Sequence, residues 1–529
     1  MKISESLAGG MMMIVAGQKE MQQLDRYTME ILGLPGVVLM ENAGARVVEE
    51  IIASHSQNSD NNVVILAGGG NNGGDGFVVA RKLVDLGWSP KLWLLTDLEK
   101  ITGDAKCHLD VYLKRGLPLF TLKEMDVLPT HLEQADIIVD AMLGTGVKGA
   151  VREPMKTVIH MVNNRRNQAS VLSVDIPTGV NSDDGRVVDE AIKATKTITF
   201  VCPKRGFFLQ EGPNYVGEWK AVDISVPPSI AQTLHFKLPQ VITESLITEC
   251  IPSRPRNGHK GTFGHALVIG GSQAYVGAPV FTAKAVLHSG AGLVTLAIPE
   301  SLYHTAANLF PEALFIPLSE TDGHFSVRAI HELNPKLPTF RSVAVGPGMS
   351  RFQEGESWIK ELFTALTNQP IVIDADGLYL LRNQLELLQQ HQGPVILTPH
   401  PGEMATLVCK SVQEVEGNRL EIAQEFAVKY GVLLLLKGHR SVVATPDGEL
   451  YINPLGHDAL GKGGSGDVLT GLITSFLAQG ALPKDALLAA SYLHAKSGEE
   501  QAEILSHFGV MPEDIITGVK QLLMRYTNR

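Results

Sequence analysis

The chain has 529 residues, too many for a single hydrophobic core, so two domains are the working prediction. A hydrophobic content of 44%, a charged content of 19% and 52 glycines fit a loop-rich α/β enzyme better than a coiled coil or a disordered chain. The formal net charge of −11 at pH 7 argues against nucleic-acid binding as the main function.

The positions of the cysteines and of the apolar runs exclude further classes of protein. The four cysteines lie far apart without a C-x-x-C pair, and no histidine cluster has metal-binding spacing. Neither a disulfide framework nor a zinc site is therefore predicted. The apolar run Leu433–Leu436 is far short of a membrane span. We expect a cytoplasmic protein that binds neither membranes nor nucleic acid.

The first half begins with apolar residues at helical spacing between residues 18 and 53, which predicts two helices. Val63–Ala67 is then predicted to be a strand buried on both faces. A glycine-rich loop, Gly68–Gly76, and an apolar helix, Phe77–Leu83, follow it. Strand, glycine-rich loop and helix are the layout of a phosphate or dinucleotide cradle. The paired asparagines and Asp75 depart from the G-x-G-x-x-G fingerprint, so more than a pyrophosphate is held.

Two further predicted strands end in aspartate. Ala135–Asp140 leads into Gly144-Thr145-Gly146, and Val171–Asp175 leads into Pro177-Thr178-Gly179. Because the carboxyl ends of parallel strands meet at one edge of an open α/β sheet, these loops are expected to share one crevice. A single aspartate here could be a helix cap, but three polar strand ends together favour a site.

Three of these segments carry a family resemblance. AGGGNNGGDGFVVARKL, VDAMLGTGVKGA and SVDIPTGVNSDDG resemble the signature segments of the NAD(P)H-hydrate epimerase domain, a YjeF-type domain. The resemblance implies a Rossmann-like three-layer αβα fold, with a potassium ion beneath the loops. It implies potassium ligands at Asn72, Asp140 and Thr178, and hard oxygen ligands of these types suit an alkali cation. It implies substrate contacts at Asn71, Asn72, Gly73, Gly74, Asp75, Gly144, Thr145, Gly146, Val147, Lys148, Gly149, Ala150 and Asp175.

Epimerisation of the hydrated ring at C6 needs ring opening, or loss and return of the hydroxyl, and therefore an acid/base near the ring. Asp175 is the predicted acid/base. Lys204 could contribute, or it could be only an exposed loop cation.

A proline-punctuated stretch near residues 230–240 is the predicted boundary, giving an epimerase domain of residues 1–230 and a second domain of residues 231–529. The second domain repeats the pattern, with a strand at His265–Ile269, a glycine-containing loop and a helix at Val280–His288. Later strands also end in glycine or polar residues, and they are Val343–Val345, Ile371–Ile373, Val395–Leu397 and Val432–Leu436. The second half is therefore also predicted to be α/β.

The stretch from Gly461 to Asp467 carries four glycines and leads into an apolar helix. A helix N-terminus with glycines lets an anion approach the backbone N–H groups. An aspartate at that place would repel a phosphate unless it accepts the proton of an attacking hydroxyl. The alternative is a glycine-rich turn in which Asp467 is the helix N-cap.

A second resemblance supplies the context for this stretch. AYVGAP, GPG, IDADGL, TPHPGE, KGHRS and GKGGSGD resemble segments of the ADP/ATP-dependent NAD(P)H-hydrate dehydratase family, which has a ribokinase-like αβα fold. The resemblance implies that the hydrate contacts Ala278, Gly348, His400 and Asp467. It implies that the adenine nucleotide contacts Lys437, Gly438, His439, Arg440, Ser441 and Gly466. His400 could instead be a satisfied loop residue.

The two resemblances imply a bifunctional repair enzyme. The first domain would interconvert the R and S hydrates of NADH and NADPH, and the second would phosphorylate the C6 hydroxyl of the S form and eliminate phosphate. Asp467 is the predicted base, with backbone N–H groups of Gly464–Gly466 stabilising the transferring phosphoryl. We expect ADP rather than ATP as the donor, Mg²⁺ with the nucleotide, and a homo-oligomer.

Two alternatives use the same residues. The second half could be a small-molecule kinase of the ribokinase superfamily, which would leave the first half without a function. The first half could be a non-catalytic ligand-binding or scaffolding domain, although a scaffold does not need Asp175, Asn72 and Asp140 together.

Overall fold

The structure is a computed structural model that describes residues 13–54 and 61–527. The chain divides into two compact units between Leu238 and Pro239. Among the helices of the described ranges, none is both long and apolar enough to cross a membrane.

The first unit alternates strands and helices. Its strands are β1 (Val63–Ala67), β2 (Lys91–Leu94), β3 (Leu119–Phe120), β4 (Ile137–Ala141), β5 (Ser170–Val174), β6 (Lys196–Phe200) and β7 (Glu218–Val222). Its helices are α1 (Gln18–Glu30), α2 (Gly36–Ser54), α3 (Asn71–Asp85), α4 (Gly103–Lys114), α5 (Leu128–Glu133), α6 (Met155–Asn163) and α7 (Ile230–Thr233). The prediction of two helices before β1 is confirmed by α1 and α2.

All seven strands are parallel and lie in the order β3-β2-β1-β4-β5-β6-β7. Side chains of β1 alternate between two cores. Val63 and Ile65 pack with residues of α1 to α4, whereas Val64 and Leu66 pack with residues of α5 and α6. The first unit is therefore a three-layer αβα domain. Its strand order reverses between β1 and β4, which is where ligands bind in doubly wound sheets.

Helix α3 begins earlier than predicted. The sequence pattern placed its start at Phe77, but the helix starts at Asn71 and the N–H of Gly74 already donates to the carbonyl of Gly70 at 3.0 Å. A Cβ at Gly73 would collide with the Gly68 carbonyl, so glycine allows the helix to begin directly under the end of the strand. The expected loop of residues 68–76 is thus largely the first turns of a helix.

The second unit also alternates strands and helices. Its strands are β8 (Gln240–Val241), β9 (His265–Ile269), β10 (Leu293–Pro299), β11 (Leu314–Leu318), β12 (Glu320–Thr321), β13 (His324–Phe325), β14 (Ser342–Val345), β15 (Ile371–Ile373), β16 (Val395–Leu397), β17 (Leu433–Leu436), β18 (Val442–Ala444) and β19 (Leu450–Ile452). Its helices are α8 (Glu244–Cys250), α9 (Gly277–His288), α10 (Tyr303–Leu309), α11 (Arg328–Leu333), α12 (Gly355–Ala365), α13 (Asp376–Leu381), α14 (Leu387–Gln390), α15 (Pro401–Val408), α16 (Val412–Gly417), α17 (Arg419–Tyr430), α18 (Ser465–Ala478), α19 (Pro483–Leu505) and α20 (Pro512–Thr527).

Ten strands of this unit form one sheet in the order β11-β10-β9-β14-β15-β16-β17-β18-β19-β8. Strands β9 to β11 and β14 to β17 pair in parallel, whereas β18 is antiparallel to both of its neighbours. Because these strands are parallel, the loops after β9, β14, β15, β16 and β17 meet at one edge of the sheet, and the reversal of strand order between β9 and β14 opens a crevice there.

Helices α9 and α18 pack closely against each other. A Cβ at Gly471 of α18 would collide with the carbonyl oxygen of Thr282 and lie 2.6 Å from Cβ of Ala285, both on α9. The absence of a side chain at Gly471 therefore sets the distance between the two helices. This contact fixes the position of α18, which carries Asp467 at its start.

We expect Gly471→Ala to lower the free energy of unfolding of the second unit by about 1–3 kcal/mol, because an added methyl overpacks the α9–α18 contact. Calorimetric unfolding of the full chain measures this change. Gly417→Ala is the matched control: Gly417 also lies in a helix, but a Cβ there meets nothing within 4 Å. Equal transition temperatures for the two variants would contradict the packing argument.

Candidate functional sites

A cavity of about 850 Å³ opens at the carboxyl ends of β1 and β4 in the first unit. Most of the predicted substrate residues line it, and they are Asn71, Asn72, Asp75, Gly144, Thr145, Gly146, Val147, Lys148, Ala150 and Asp175. The structure therefore brings together loops from three strands, as expected from the parallel order. A cavity of this size is in the range of small-molecule and cofactor sites.

Three residues predicted to contact substrate are not among those that line the cavity. Gly73 packs against the end of β1, and a Cβ at Gly74 would meet Sδ of Met40. Gly149 has φ +81° with open space beside it. Gly73 and Gly74 thus serve the packing of α3, and Gly149 serves a turn, because each place needs a residue without a side chain or with a positive φ.

Asp175 faces the cavity from a strained position, with φ 64° directly after β5. Its Oδ1 accepts hydrogen bonds from Nζ of Lys204 at 2.5 Å, from Oγ1 of Thr199 at 3.1 Å and from the N–H of Phe200 at 3.1 Å. Only 1% of Lys204 is exposed. The interpretation of Lys204 as an exposed loop cation is therefore wrong, because its ammonium is buried against the predicted acid/base.

Two more carboxyl groups, Asp25 and Asp75, belong to the same cluster. Burial, followed by the negative charge of Asp175, raises the pKa of Asp25 to about 6. The same two causes, in the same order, raise the pKa of Asp75 well above its usual range. The cluster thus combines an ion-paired carboxylate with two carboxyl groups that hold protons more tightly than usual.

Asp25 is not among the site residues predicted from the sequence. It lies in α1 among buried residues, three positions before Thr28 and four after Met21. Residues at these spacings share one helix face. A charged residue on a buried face is uncommon without a partner, and this was the available signal.

The three predicted potassium ligands lie together beneath the cavity. Asp140 is fully buried, and its carboxylate accepts hydrogen bonds from Thr178 Oγ1 at 2.6 Å and from Ser173 Oγ at 2.8 Å. Asn72 Nδ2 donates to the carbonyl of Leu143 at 3.1 Å, and Thr178 Oγ1 lies 3.3 Å from the same oxygen. Asn72 Oδ1 is buried without a hydrogen-bond partner. An orphaned amide oxygen beside carbonyl, hydroxyl and carboxylate oxygens fits a hard monovalent cation.

In the second unit, Asp467 lies in the first turn of α18. The N-cap of that helix is Gly464, with φ 95°, so the interpretation of Asp467 as the N-cap is wrong. Burial, followed by the negative charge of Asp374, raises the pKa of Asp467 to about 7, against the positive charge of Lys437. Asp467 is therefore a carboxyl group suited to exchange a proton near neutral pH.

Asp374 and Lys437 form a buried ion pair beside Asp467. Lys437 Nζ donates to Asp374 Oδ1 at 2.7 Å, and Thr470 Oγ1 of α18 donates to Asp374 Oδ2 at 2.7 Å. A Cβ at Gly466 would lie 3.5 Å from Lys437 Nζ and 3.7 Å from Asp374 Oδ2, which places the start of α18 against this pair. Burial acts to lower the pKa of Lys437, but Asp374 and Glu403 together raise it above its usual value.

Asp374, Glu403 and Thr470 are not among the site residues predicted from the sequence. Asp374 and Glu403 were part of quoted motifs after β15 and β16. Asp374 directly follows the apolar strand β15, the same pattern that marks Asp175 in the first half, whereas Glu403 lies in the first turn of α15.

Lys437 is the first residue of the predicted nucleotide segment, Lys437 to Ser441, but its ammonium is paired with Asp374. The rest of the segment is shaped by buried Arg419, whose guanidinium donates to the carbonyls of Leu436 and Lys437 at 3.0 Å each. It also donates to the carbonyl of Arg440 at 3.3 Å. Gly438 and His439 are exposed on this segment, whereas Arg440 is buried. Gly438 has no room for a side chain, because a Cβ there would lie 2.5 Å from Nη2 of Arg419.

The remaining predicted hydrate contacts lie at the same sheet edge: Ala278 at the start of α9, Gly348 in the loop after β14, and His400 directly before α15. Gly348 has φ +66°, and a Cβ there would approach the Ala278 Cβ at 3.1 Å, so these two residues are neighbours. His400 is the N-cap of α15, and its Nδ1 accepts hydrogen bonds from the N–H groups of Gly402 at 3.0 Å and Glu403 at 3.3 Å. Its side chain is 56% exposed. His400 thus has a structural role through Nδ1 and an exposed ring edge.

These sites define a class of protein: a two-domain α/β enzyme with a carboxylate-lined cavity in one half and a glycine loop beside a buried aspartate in the other. Comparisons with known proteins agree with that class. A family model described as YjeF-related protein N-terminus matches residues 36–206. A family model described as NAD(P)H-hydrate dehydratase matches residues 266–520.

Full-length relatives cover both halves. The bifunctional NAD(P)H-hydrate repair enzyme Nnr of Moorella thermoacetica is 39% identical over 506 residues, which is 94% of each chain. That of Salinibacter ruber is 35% identical over 494 residues, which is 90% of each chain. A solved ADP/ATP-dependent NAD(P)H-hydrate dehydratase of Bacillus subtilis, co-crystallised with ATP/Mg²⁺, is 30% identical with a TM-score of 0.47, and covers 54% of this chain and 98% of that one. The chain belongs to the family of bifunctional NAD(P)H-hydrate repair enzymes, which have an epimerase and a dehydratase domain.

Proposed function

We propose that the chain repairs hydrated NADH and NADPH in two steps, each in one unit. The first unit interconverts the R and S hydrates, and the second dehydrates the S hydrate with ADP or ATP as phosphoryl donor and Mg²⁺ bound to the nucleotide. The observation that carries this proposal is Asp467. It follows a glycine loop at a helix N-terminus, and burial beside Asp374 raises its pKa to about 7. It thus pairs a proton acceptor with a phosphate-binding backbone.

In the dehydratase step, Asp467 takes the proton of the C6 hydroxyl as the hydroxyl oxygen attacks the terminal phosphoryl group of the nucleotide. The products of this transfer are the C6 phosphate ester and AMP when ADP is the donor. Phosphate then leaves C6 with the electron pair of the C–O bond and the C5 proton passes to water, which restores the C5–C6 double bond of the reduced nicotinamide. Hydroxide is a poor leaving group, so phosphorylation makes the elimination feasible. The free N–H groups at the start of α18 stabilise negative charge on the transferring phosphoryl.

The predicted nucleotide residues fit this step in two groups. Lys437 lies beside Asp374 and Glu403 and acts on the reacting end of the nucleotide, where it offsets negative charge. His439 and Ser441 lie farther along the Arg419-shaped segment and are proposed to contact the rest of the nucleotide, with Gly438 and Arg440 between them. Gly466 is proposed to contact phosphate because it has no side chain next to the ion pair.

We expect Asp467→Asn to lower the dehydratase rate by about 10²–10⁴-fold, because the general base is lost while the side chain keeps its shape. Recovery of reduced nicotinamide absorbance from mixed R and S hydrates, with ADP or ATP, measures this step. The epimerisation rate, measured by chromatographic separation of the R and S hydrates, should stay unchanged. A variant that keeps its unfolding temperature and loses both activities would refute the assignment of one activity to each unit.

The dehydratase rate should also fall as pH decreases through about 7, because the base must be ionised and the raised pKa of Asp467 sets that limit. Asp374→Asn removes the neighbouring negative charge that raises this pKa. We therefore expect the acidic limb of the pH–rate profile to move to lower pH. Asp322→Asn, at an exposed turn with φ 50°, is the control and should leave the limb in place. An acidic limb that stays fixed or moves upward in Asp374→Asn would rule out Asp374 as the cause.

In the epimerase step, the cluster of Asp25, Asp75 and Asp175 supplies both a proton donor and a proton acceptor. Asp25, whose pKa is raised to about 6, donates a proton to the departing C6 hydroxyl, which leaves as water with help from the ring nitrogen. Water then adds to the other face of C6 and gives a proton to the Asp175 carboxylate. Lys204 is a positioning residue, since its buried ammonium orients Asp175 through the 2.5 Å hydrogen bond.

A potassium ion is proposed beneath this cavity, held by Asn72 Oδ1, Asp140, Thr178 Oγ1 and the carbonyl of Leu143. The orphaned Asn72 oxygen supports this proposal. When bound, the cation supplies positive charge below the substrate loops. Asn72 and Gly144 are in contact, since a Cβ at Gly144 would lie 3.4 Å from Cβ of Asn72. The ligand set is therefore directly connected to the loop that lines the cavity.

We expect Asp25→Asn to slow R–S interconversion by about 10²-fold, because the amide cannot donate the carboxyl proton. The assay separates the two hydrates by chromatography in the absence of nucleotide. In the same assay, replacing potassium by sodium in the buffer should slow the parent enzyme, because the proposed cation site then lacks its potassium ion. Asp126→Asn, at an exposed position outside the cavity, is the matched control. Full activity of Asp25→Asn would exclude Asp25 as an acid.

A further inference from the structure

Three side chains from two distant segments meet on the surface of the second unit. His507 Nδ1 lies 2.9 Å from Asp458 Oδ1 and 3.2 Å from Asp458 Oδ2, although 49 residues separate them. His457 Nδ1 lies 2.9 Å from the same Asp458 Oδ1. One ligand atom of each residue lies within 4.8 Å of those of the other two. This cluster is not visible in the sequence, because histidine spacing along the chain cannot show a contact between distant segments.

All three side chains offer atoms that bind transition metals. In the neutral ring, His457 Nδ1 accepts the N–H of Ala459 at 3.2 Å, and the same nitrogen lies 2.9 Å from Asp458 Oδ1. A neutral imidazole nitrogen and a carboxylate oxygen are both acceptors, so a proton or a bound metal ion is needed to hold them together at that distance. A metal ion bound by both atoms would fill this role, and His507 would complete a set of three ligands.

We propose that His457, Asp458 and His507 form a binding site for a divalent transition metal, with Zn²⁺ as the best match. Two imidazoles and one carboxylate suit zinc, copper or nickel, whereas Mg²⁺ and Ca²⁺ prefer oxygen ligands alone. Ligand atoms on one tetrahedral zinc ion lie about 3.4 Å apart, given metal–ligand bonds of about 2.0–2.1 Å. Small rotations of exposed side chains would open the 2.9 Å contacts to that distance.

The site is connected to the glycine loop of the dehydratase centre. Lys462, inside that loop, donates a hydrogen bond to the carbonyl of Phe508, the residue after His507. A Cβ at Gly464 would lie 2.6 Å from Cγ of Pro512. A metal that joins residues 457–458 to His507 therefore closes a second link between the same two segments. We infer that zinc binding restricts the loop and lowers dehydratase turnover, an inference that rests on the proposed function.

The binding test uses the full chain with the exposed Cys107 and Cys409 replaced by serine, because thiolates also bind zinc. Calorimetric titration with ZnCl₂ should show one site per chain. His507→Ala and Asp458→Asn should each weaken binding by more than about tenfold. Both side chains are largely exposed, at 61% and 72%, so these variants are expected to fold. His331→Ala, at an exposed histidine elsewhere in the unit, is the matched control.

Zinc binding that is absent from the parent, or equally tight in His507→Ala, would overturn the site and leave a hydrogen-bonded surface cluster. In a second measurement, the dehydratase and epimerase rates of the parent chain are compared with and without one equivalent of ZnCl₂. Dehydratase turnover should fall severalfold while epimerisation stays constant, and His507→Ala should show no zinc response. Tight binding with unchanged turnover would overturn the coupling to the loop. A parent chain that shows no dehydratase activity even before zinc is added would instead count against the proposed function. The zinc site would still be tested in that case, because the binding assay does not depend on activity.

Discussion

The ion pair between Lys437 and Asp374 is the interaction on which the second site depends. Three carboxyl groups, Asp374, Glu403 and Asp467, converge where water is largely excluded, and Lys437 is the cation among them. Removing ionised groups from water is costly unless opposite charges and hydrogen bonds compensate. Lys437 forms its hydrogen bond with Asp374, so the cost of ionising a buried carboxyl group is offset less at Asp467 than at Asp374. The raised pKa of the proposed base is thus a consequence of how the neighbouring pair is neutralised.

The first unit also contains several buried carboxyl groups around a buried lysine, Lys204. Lys204 neutralises Asp175, whereas burial and the charge of Asp175 raise the pKa values of Asp25 and Asp75. In both units a strand of a parallel sheet delivers the ion-paired aspartate, and helices deliver the carboxyl groups with raised pKa values. The family relationship explains why two such domains share one chain, and the electrostatics explain how each domain obtains a group that exchanges protons near neutral pH.

Much of the architecture could be predicted because local patterns determine it. The run Val63–Ala67 is apolar at every position, as a strand covered on both faces must be, and it forms β1 with the predicted bounds. Helix starts were less predictable. Gly73 looked like a loop residue, yet it is required inside α3 by a close approach to Gly68 that only the packed structure shows. The burial of Lys204 was not predictable either, because nothing in a Cys-Pro-Lys-Arg-Gly sequence indicates that its ammonium faces Asp175.

Gly464 has a consequence for which residues the entrance of α18 can carry. Its left-handed backbone and the nearby ring of Pro512 leave no room for a side chain. At this position the backbone alone therefore shapes the entrance of the helix. In the proposed nucleotide segment, by contrast, His439 is exposed. Redesign of the proposed dehydratase centre therefore has room for a new side chain at His439 and none at Gly464.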